Sequence, residues 1–181
     1  MRTFVLFAEK ARTSKFSLND LPGSGGRMDL VCRCVNAALW VSHGLRRDTD
    51  IYLVLNGSPS MKRVSPDERN IAAWVNKSIE KASGKDWERV QEGIDVSRKG
   101  FEDILKELRD RPIYVMHEEG KPIKGLEMGE SPVFVLGDHM GLPEEQQSLA
   151  DKYSTKKLSL GKKPYLASHC MTIINYELDK N

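Results

Sequence analysis

Two short turns that contain glycine each follow an apolar run, and they are the first candidates for a ligand site. Residues 133–143 read Val-Phe-Val-Leu-Gly-Asp-His-Met-Gly-Leu-Pro, and residues 158–161 read Leu-Ser-Leu-Gly. In open α/β sheets ligands sit at the carboxyl ends of strands, where glycine allows the backbone to approach them closely. An ordinary strand-to-helix turn has a similar composition, so this pattern alone leaves a ligand site and a plain turn open.

A third glycine-rich segment brings a cation and a carboxylate together. Residues 21–29 read Leu-Pro-Gly-Ser-Gly-Gly-Arg-Met-Asp, without the Gly-Lys-Ser/Thr ending of a P-loop or the third glycine of a dinucleotide fingerprint. ATP and NAD are therefore poorly supported. Arg27 is suited to bind a phosphate, and Asp29 is suited to accept a proton. By residue type, Asp29 is at least as well suited to cap the helix that follows.

The cysteines and histidines give little support to a metal site or to covalent catalysis. Cys32 and Cys34 lie two positions apart on a predicted helix, so their side chains point about 200° apart and cannot bind one ion. His169 and Cys170 diverge by about 100° on the last helix, and a cysteine in an apolar stripe is usually inert. No acidic or cysteine partner stands at ligand spacing from the other histidines, which are His43, His117 and His139.

Size and composition favour one folded domain in a reducing compartment. The chain has 181 residues, of which 39% are hydrophobic, so we expect residues 1–181 to form a single domain. It has no apolar run near the roughly 20 residues that a membrane-spanning helix needs. Three cysteines are a sparse and odd set in a chain of this size, which is typical of a reducing compartment. We therefore predict a cytoplasmic protein without disulfides.

The distribution of charge allows an RNA partner without requiring one. The formal net charge is only +2, yet basic residues bunch locally. Such groups of basic residues more often form a solvated surface than a nucleic-acid site. The charge pattern alone therefore leaves both interpretations, a solvated surface and an RNA-binding site, open. The bunches are Lys10, Arg12 and Lys15; Arg46 and Arg47; and Lys156, Lys157, Lys162 and Lys163.

Apolar patterning predicts an α/β fold, with a mostly parallel sheet flanked by helices, that would position these segments. Continuous apolar runs predict strands buried on both faces, as in a parallel sheet. Apolar residues at helical spacing between these runs predict helices, and the alternation gives βαβ units. The predicted strands are Phe4 to Phe7, Ile51 to Leu55, Ile113 to Met116 and Val133 to Leu136. The predicted helices between them are Leu30 to Leu45, Ile71 to Ala82 and Phe101 to Leu108.

The remaining segments are assigned from turn and capping residues. Ser65, Pro66 and Glu68 match a capping box and predict the start of the second helix. Residues 82–97 are polar and predict a loop, with a short strand near Ile94 to Val96. After the turn at 137–141 we expect a helix begun by Pro143, a fifth strand at Lys157 to Leu160 and a last helix at Tyr165 to Leu178.

Several motifs, specific only when taken together, point to one family. They are Met-Arg-Thr-Phe at 1–4, Gly-Gly-Arg-Met-Asp at 25–29, Ser-His-Gly-Leu-Arg-Arg-Asp at 42–48, Ser-Pro-Asp-Glu-Arg-Asn-Ile-Ala at 65–72, Phe-Val-Leu-Gly-Asp-His at 134–139, Leu-Ser-Leu-Gly at 158–161 and Ala-Ser-His-Cys at 167–170. With these motifs the chain resembles, over nearly its whole length, the SPOUT methyltransferases and, among them, the archaeal tRNA pseudouridine-54 N1-methyltransferase family.

The resemblance implies both a fold and a cofactor. It implies a deep trefoil knot formed by about residues 130–181, S-adenosylmethionine bound by the backbone of the knot loops, and a homodimer whose subunits share the substrate site. No metal is implied. The residues that match the three cofactor loops are Leu136, Gly137 and Gly141; Ser159, Leu160 and Gly161; and Leu166, Ala167, Ser168 and Cys170.

The activity implied by the resemblance is methylation of N1 of pseudouridine 54 in the T-arm of tRNA. This reaction needs an unstacked base, a methyl donor in line with N1 and an acceptor for the N1 proton. We expect Asp29 to orient N1 or take its proton, and Arg27 to hold a phosphate. Methylation of an rRNA pseudouridine, and a non-catalytic RNA-binding or assembly role on the same fold, remain open.

One segment departs from the family pattern. Members have a longer connection between the strand ending near Asn56 and the helix starting at Ser65, whereas here only residues 57–64 join them. The shorter connection lies away from the glycine turns. It therefore puts accessory substrate contacts in doubt rather than the methyl-donor site.

Overall fold

One eight-stranded sheet organises the chain in the computed structural model, which describes residues 1–56, 60–62 and 68–180. The parallel part of the sheet contains, in spatial order, β10 (Lys156–Ser159), β8 (Ile113–Pro122), β9 (Val133–Gly137), β1 (Arg2–Ala8) and β4 (Thr49–Leu55). An antiparallel part continues from β4 with β5 (Ser60–Lys62), β7 (Ile94–Ser97) and β6 (Glu88–Gln91). The mostly parallel sheet predicted from the apolar runs is therefore confirmed.

Helices cover both faces of the sheet. Successive residues of β1 alternate between two cores: Phe4 and Leu6 pack on one face, and Val5 and Phe7 pack on the other. A strand buried on both faces needs no polar alternation, which explains its continuous apolar run. The first face carries α1 (Met28–Leu39), α2 (Glu68–Lys81) and α5 (Ala167–Leu178), and the second carries α3 (Phe101–Glu107) and α4 (Glu144–Tyr153).

The register of the parallel strands brings their carboxyl ends together. Phe7 near the end of β1 pairs with Gly137 at the end of β9, and β4 ends beside Ala8. The segment after β1, which leads to Arg27, therefore starts next to the turn that follows β9.

The first predicted helix is too long. α1 ends at Leu39, and the next residues form a hairpin of β2 (Trp40–Val41) and β3 (Gly44–Leu45). Val41 and Leu45 fit helical spacing, but His43 has a positive φ of 69° at the hairpin turn, a backbone conformation that a helix does not contain. The exposed carbonyls at the end of α1 are satisfied by Asn175 of α5, whose Nδ2 lies 3.0 Å from the Ala37 oxygen.

The segment 82–97 contains more structure than its composition predicted. The expected short strand is β7, which is confirmed, but it also pairs with β6 in a hairpin that turns at Gly93, with φ of 78°. β6 was missed because its residues are partly exposed and mostly polar. α2 is described from Glu68, so the predicted capping residues Ser65 and Pro66 lie outside the described residues.

The C-terminal elements follow the prediction. α4 begins directly after Pro143, β10 covers most of the expected fifth strand, and α5 begins two residues later than expected. β8 continues past Met116 to Pro122 and pairs with β10 at both ends, near Tyr114 and Val115 and again at Lys121 and Pro122.

Candidate functional site

One pocket, of about 620 Å³, lies at the carboxyl edge of the parallel strands. Three segments form most of its wall: the turn after β9, the turn after β10 and the start of α5. The size is within the range of about 300–1,000 Å³ that is usual for small-molecule sites. Ligands in open α/β folds bind at this edge because backbone groups are free there.

The turn after β9 is held by the close approach of two backbone segments. A Cβ atom on Gly137 would lie 2.1 Å from the carbonyl carbon of Gly141 and 2.4 Å from the nitrogen of Leu142. Glycine at 137 is therefore required by the protein's own chain, in addition to any ligand. Gly141 adopts a φ of 81°, which closes the turn and favours glycine for a second reason.

The side chain of Asp138 fastens this turn to the neighbouring strand. Its Oδ2 accepts a hydrogen bond from the backbone N–H of Glu9 at 3.0 Å, and its Oδ1 accepts one from the N–H of Met140 at 2.8 Å. The carboxylate is 3% exposed, so both bonds are made away from water. Asp138 therefore fixes the end of β1 relative to the first turn of the pocket.

The turn after β10 is shaped by a serine hydroxyl. Ser159 Oγ accepts a hydrogen bond from the N–H of Gly161 and donates one to its carbonyl oxygen, each at 3.1 Å. Gly161 has a φ of 128°, and a Cβ placed on it would meet no protein atom within 4 Å. The turn thus presents open backbone to the pocket.

The third segment runs into α5. Leu166 stands at the N-cap position, and its carbonyl accepts the N–H of Cys170 at 2.9 Å. Burial raises the pKa of the Cys170 thiol to about 11, which outweighs the effect of a backbone hydrogen bond in the opposite direction. The thiol is therefore protonated at neutral pH and is a poor nucleophile.

The residues matched to the cofactor loops converge on this pocket. All of them line it except Ser168, which is buried beneath the first turn of α5 with its carbonyl bonded to the Thr172 hydroxyl. The lining residues are Leu136, Gly137, Gly141, Ser159, Leu160, Gly161, Leu166, Ala167 and Cys170.

Arg27 and Asp29 lie beside the pocket and are not among its lining residues. Arg27 occupies the N-cap position of α1 in the left-handed region, with φ of 66°, so the capping role considered for Asp29 is wrong. Asp29 instead binds two arginines: its Oδ1 lies 3.1 Å from Arg27 Nε, and its Oδ2 lies 2.9 Å from Arg33. The Arg27 pKa is raised, chiefly by this hydrogen bond, and the charge of Asp138 adds to the effect.

The pairing of Asp29 has a chemical consequence. Burial alone would raise the pKa of Asp29. The hydrogen bonds and charges of Arg27 and Arg33 together lower this pKa by more than burial raises it, so the net shift is downward. A carboxylate with a lowered pKa is a weaker proton acceptor. The arrangement suits Asp29 for orienting Arg27 better than for taking a proton.

Sequence reasoning missed the relation between His139 and Asp138. Both line the pocket, and His139 Nδ1 lies 3.6 Å from Asp138 Oδ1. The sequence analysis gave His139 no role because no acidic residue stands at ligand spacing from it. Its acidic neighbour in the structure is Asp138, the preceding residue of the same turn. The signal was present in the motif Gly-Asp-His, between the two glycines of the turn.

Membrane-spanning helices and metal-binding clusters are both absent from the part of the chain that the structure describes. No helix there is long and apolar enough to cross a membrane. No cluster of three or more histidine, cysteine, aspartate or glutamate side chains there is arranged to hold a metal ion.

Known proteins resemble this chain over its full length. A protein of Methanococcoides burtonii named tRNA (pseudouridine(54)-N(1))-methyltransferase is 40% identical over 196 aligned positions, covering 100% of this chain and 97% of the relative. The protein of that name from Methanocaldococcus jannaschii is 41% identical, with 99% and 97% coverage. The alignments are longer than the chain, so these relatives contain residues that this chain lacks.

Solved structures share the fold. Nep1 of Archaeoglobus fulgidus, a crystal structure bound to S-adenosylhomocysteine, superposes with a TM-score of 0.72 over 99% of this chain and 97% of that one, at 15% identity. A structure described as "a putative RNA methyltransferase of the TrmH family" from Porphyromonas gingivalis gives a TM-score of 0.52 at 15% identity, with 97% of this chain and 58% of that one covered. At these identities the likeness concerns the fold.

A family model described as "Putative SAM-dependent RNA methyltransferase" matches residues 1–181, the whole chain. Together with relatives about 40% identical over their full length, this match shows that the chain belongs to that family of S-adenosylmethionine-dependent RNA methyltransferases.

Proposed function

We propose that this protein transfers a methyl group from S-adenosylmethionine to N1 of pseudouridine 54 in the T-arm of tRNA. The observation that carries the proposal is the full-length similarity to tRNA (pseudouridine(54)-N(1))-methyltransferases, joined to a pocket at the sheet edge where the matched loops converge. An RNA-modifying enzyme works where its RNA is, so we place it in the cytoplasm.

The pocket fits the proposed methyl donor. Its lining includes the apolar side chains of Leu136, Leu142 and Leu160, which would suit an adenine ring, and backbone of the glycine turns, which would suit polar groups of the cofactor. When bound, S-adenosylmethionine supplies a methyl group on a positively charged sulfur. We further propose that the loops that hold it belong to a trefoil knot formed by about residues 130–181, within a single domain of residues 1–181.

The substrate side lies toward Arg27. This residue is 38% exposed in its side chain, is held by Asp29 and sits beside the end of β1 next to the pocket. An oriented guanidinium suits a backbone phosphate of RNA. We propose that Arg27 binds a phosphate of the T-arm and that Asp29 keeps it in position.

We also propose that two copies of the chain form a homodimer. Exposed apolar residues extend from the β2–β3 hairpin to α5, with Trp40 39%, Val41 41%, Leu45 47% and Tyr176 62% exposed. Ile174 of α5 is fully buried in the core and does not belong to this surface. Large apolar side chains that remain exposed in this number are typical of an interface. Light scattering at micromolar concentration should give the mass of a dimer, and a monomer mass would contradict the proposal.

Methyl transfer to matched RNAs tests the main proposal. T-arm RNA with pseudouridine at position 54 should accept labelled methyl from S-adenosylmethionine, whereas the same RNA with uridine should not. The control for the donor site is calorimetric titration with S-adenosylmethionine. Cofactor binding without transfer to either RNA would indicate a non-catalytic RNA-binding protein and refute the proposal.

A further inference from the structure

The pocket contains a histidine backed by a buried carboxylate. Asp138 is 3% exposed and is locked by the N–H groups of Glu9 and Met140, while the His139 side chain is 28% exposed and lines the pocket. Their separation, 3.6 Å between Oδ1 and Nδ1, is longer than a hydrogen bond and within the range of an ion pair once the imidazole carries a proton on both nitrogens. A carboxylate that faces Nδ1 favours the proton on that nitrogen and leaves Nε2 as the basic one.

The other candidate for proton uptake is less suitable. Asp29 is committed to Arg27 and Arg33, and the net effect of burial and of these partners is a lowered pKa. It also lies outside the residues that line the pocket. Histidine is the side chain that most readily exchanges a proton near neutral pH.

We propose that His139, held by Asp138, accepts the N1 proton of pseudouridine during methyl transfer, with Asp138 as a positioning residue. The inference rests on the proposed function and names the proton acceptor of the same site. As the N1–H bond breaks, its proton passes to His139 Nε2, and the N1 electron pair forms the bond to the methyl carbon. The electron pair of the broken carbon–sulfur bond stays on sulfur, which becomes neutral. The imidazolium then releases its proton to water.

Several ionisable side chains surround His139 in the pocket. Nearest is the Asp138 carboxylate, whose Oδ1 lies 3.6 Å from His139 Nδ1. The other ionisable side chains that line the pocket are His117, Glu118, Glu119, Lys163, Tyr165 and Cys170.

His117 is placed differently from His139. Its Nδ1 accepts a hydrogen bond from the Glu119 N–H at 3.2 Å, so no carboxylate is needed to fix its ring. Glu118 and Glu119 bring negative charge to the lining of the pocket, and Lys163 brings positive charge.

The experiment is a single-turnover pH–rate profile at saturating S-adenosylmethionine and T-arm RNA. We compare wild type with His139→Gln, Asp29→Asn and, as the matched control, His169→Gln, an exposed histidine of α5 that does not line the pocket. His139→Gln should lower the rate near neutral pH by about 10²–10⁴-fold. The loss should shrink as pH rises, because hydroxide replaces the missing base. Cofactor affinity and the unfolding temperature should stay close to wild type.

Each other outcome counts against the proposal. A rate within threefold of wild type in His139→Gln overturns it, and so does a parallel loss of cofactor affinity, which would make His139 a cofactor-binding residue. If Asp29→Asn loses the pH-dependent limb and His139→Gln keeps it, Asp29 is the acceptor. If wild type transfers no methyl group to pseudouridine RNA although it binds the cofactor, the proposed function fails instead.

Asp138→Asn supplies a second, independent readout. The carbonyl of asparagine can accept only one of the two N–H bonds cleanly, so the rate should fall. If Asp138 acts through His139, Asp138→Asn should lower the rate of the wild type and add little further loss in the His139→Gln background. An equal further loss in the double variant would show that Asp138 acts on the loop alone and would overturn its role through His139.

Discussion

Replacement of Gly137 by alanine should damage the pocket and the fold together. The added Cβ would lie 2.1 Å from the Gly141 carbonyl carbon and 2.3 Å from its oxygen, and the three atoms nearest to it all belong to the backbone. Carbon atoms in contact prefer about 3.5–4.0 Å, so the turn must move by more than about 1 Å. That movement pulls Met140 away from Asp138. Overpacking costs about 1–3 kcal/mol, and a weakened hydrogen bond to a buried carboxylate costs about 1.5–3 kcal/mol more.

The expected total is therefore about 3 kcal/mol or more, which lowers Tm by roughly 6–12 °C in a domain of this size. Calorimetric affinity for S-adenosylmethionine should fall at least tenfold, because the first loop is displaced. Gly125→Ala is the matched control: its φ is 73°, but its Cβ meets no atom within 4 Å and it lies outside the pocket. It should cost only about 1–2 kcal/mol of backbone strain, with unchanged affinity. A Tm of Gly137→Ala within 2 °C of wild type would refute the close-approach argument.

Three further predictions concern single side chains. Cys170→Ser should keep substantial methyl transfer, because a thiol whose pKa is raised to about 11 is not a nucleophile at neutral pH; complete loss of transfer with normal cofactor affinity would contradict this. Gly161→Val should weaken cofactor binding at least tenfold in calorimetry, because a branched side chain would enter the pocket from a φ of 128°; unchanged affinity would mean that the second loop is misplaced. Arg27→Ala should weaken T-arm binding and reduce the salt dependence by about one phosphate contact, which filter binding at several salt concentrations measures; an unchanged slope would remove Arg27 from the RNA interface.

The central strands were predictable because burial on both faces leaves a direct mark on the sequence. Phe4 to Phe7 and Val133 to Leu136 are uninterrupted apolar runs, and each alternates between two cores in the structure. The end of α1 was not predictable from spacing, because Val41 and Leu45 suit a helix as well as a hairpin. What decides there is the backbone at His43, with its positive φ.

The local motifs of the candidate site were predictable from the sequence, whereas the contacts between distant segments were not. The glycine turns at 137–141 and 158–161 are visible as local motifs, and the structure brings them to one pocket. The bond between Asp138 and the Glu9 N–H joins residues 129 positions apart, and no local pattern records it. The pairing of Asp29 with Arg33 follows from helical i,i+4 spacing, but its consequence, a lowered pKa, needs the geometry of Arg27 as well.

The turn after β9 serves the fold and the proposed chemistry through the same atoms. Gly137 lets the chain fold back on itself, and this brings the Met140 N–H to one oxygen of Asp138 while the other oxygen holds the end of β1. A carboxylate held in this way cannot swing toward solvent, so it presents a fixed negative charge to His139 on one side and to Arg27 on the other. Asp29 holds the proposed phosphate ligand, Arg27, while the buried Asp138 lies beside the proposed proton acceptor and adds its charge to the surroundings of Arg27. Disturbance of the turn should therefore affect the base chemistry first and the RNA contact to a smaller extent.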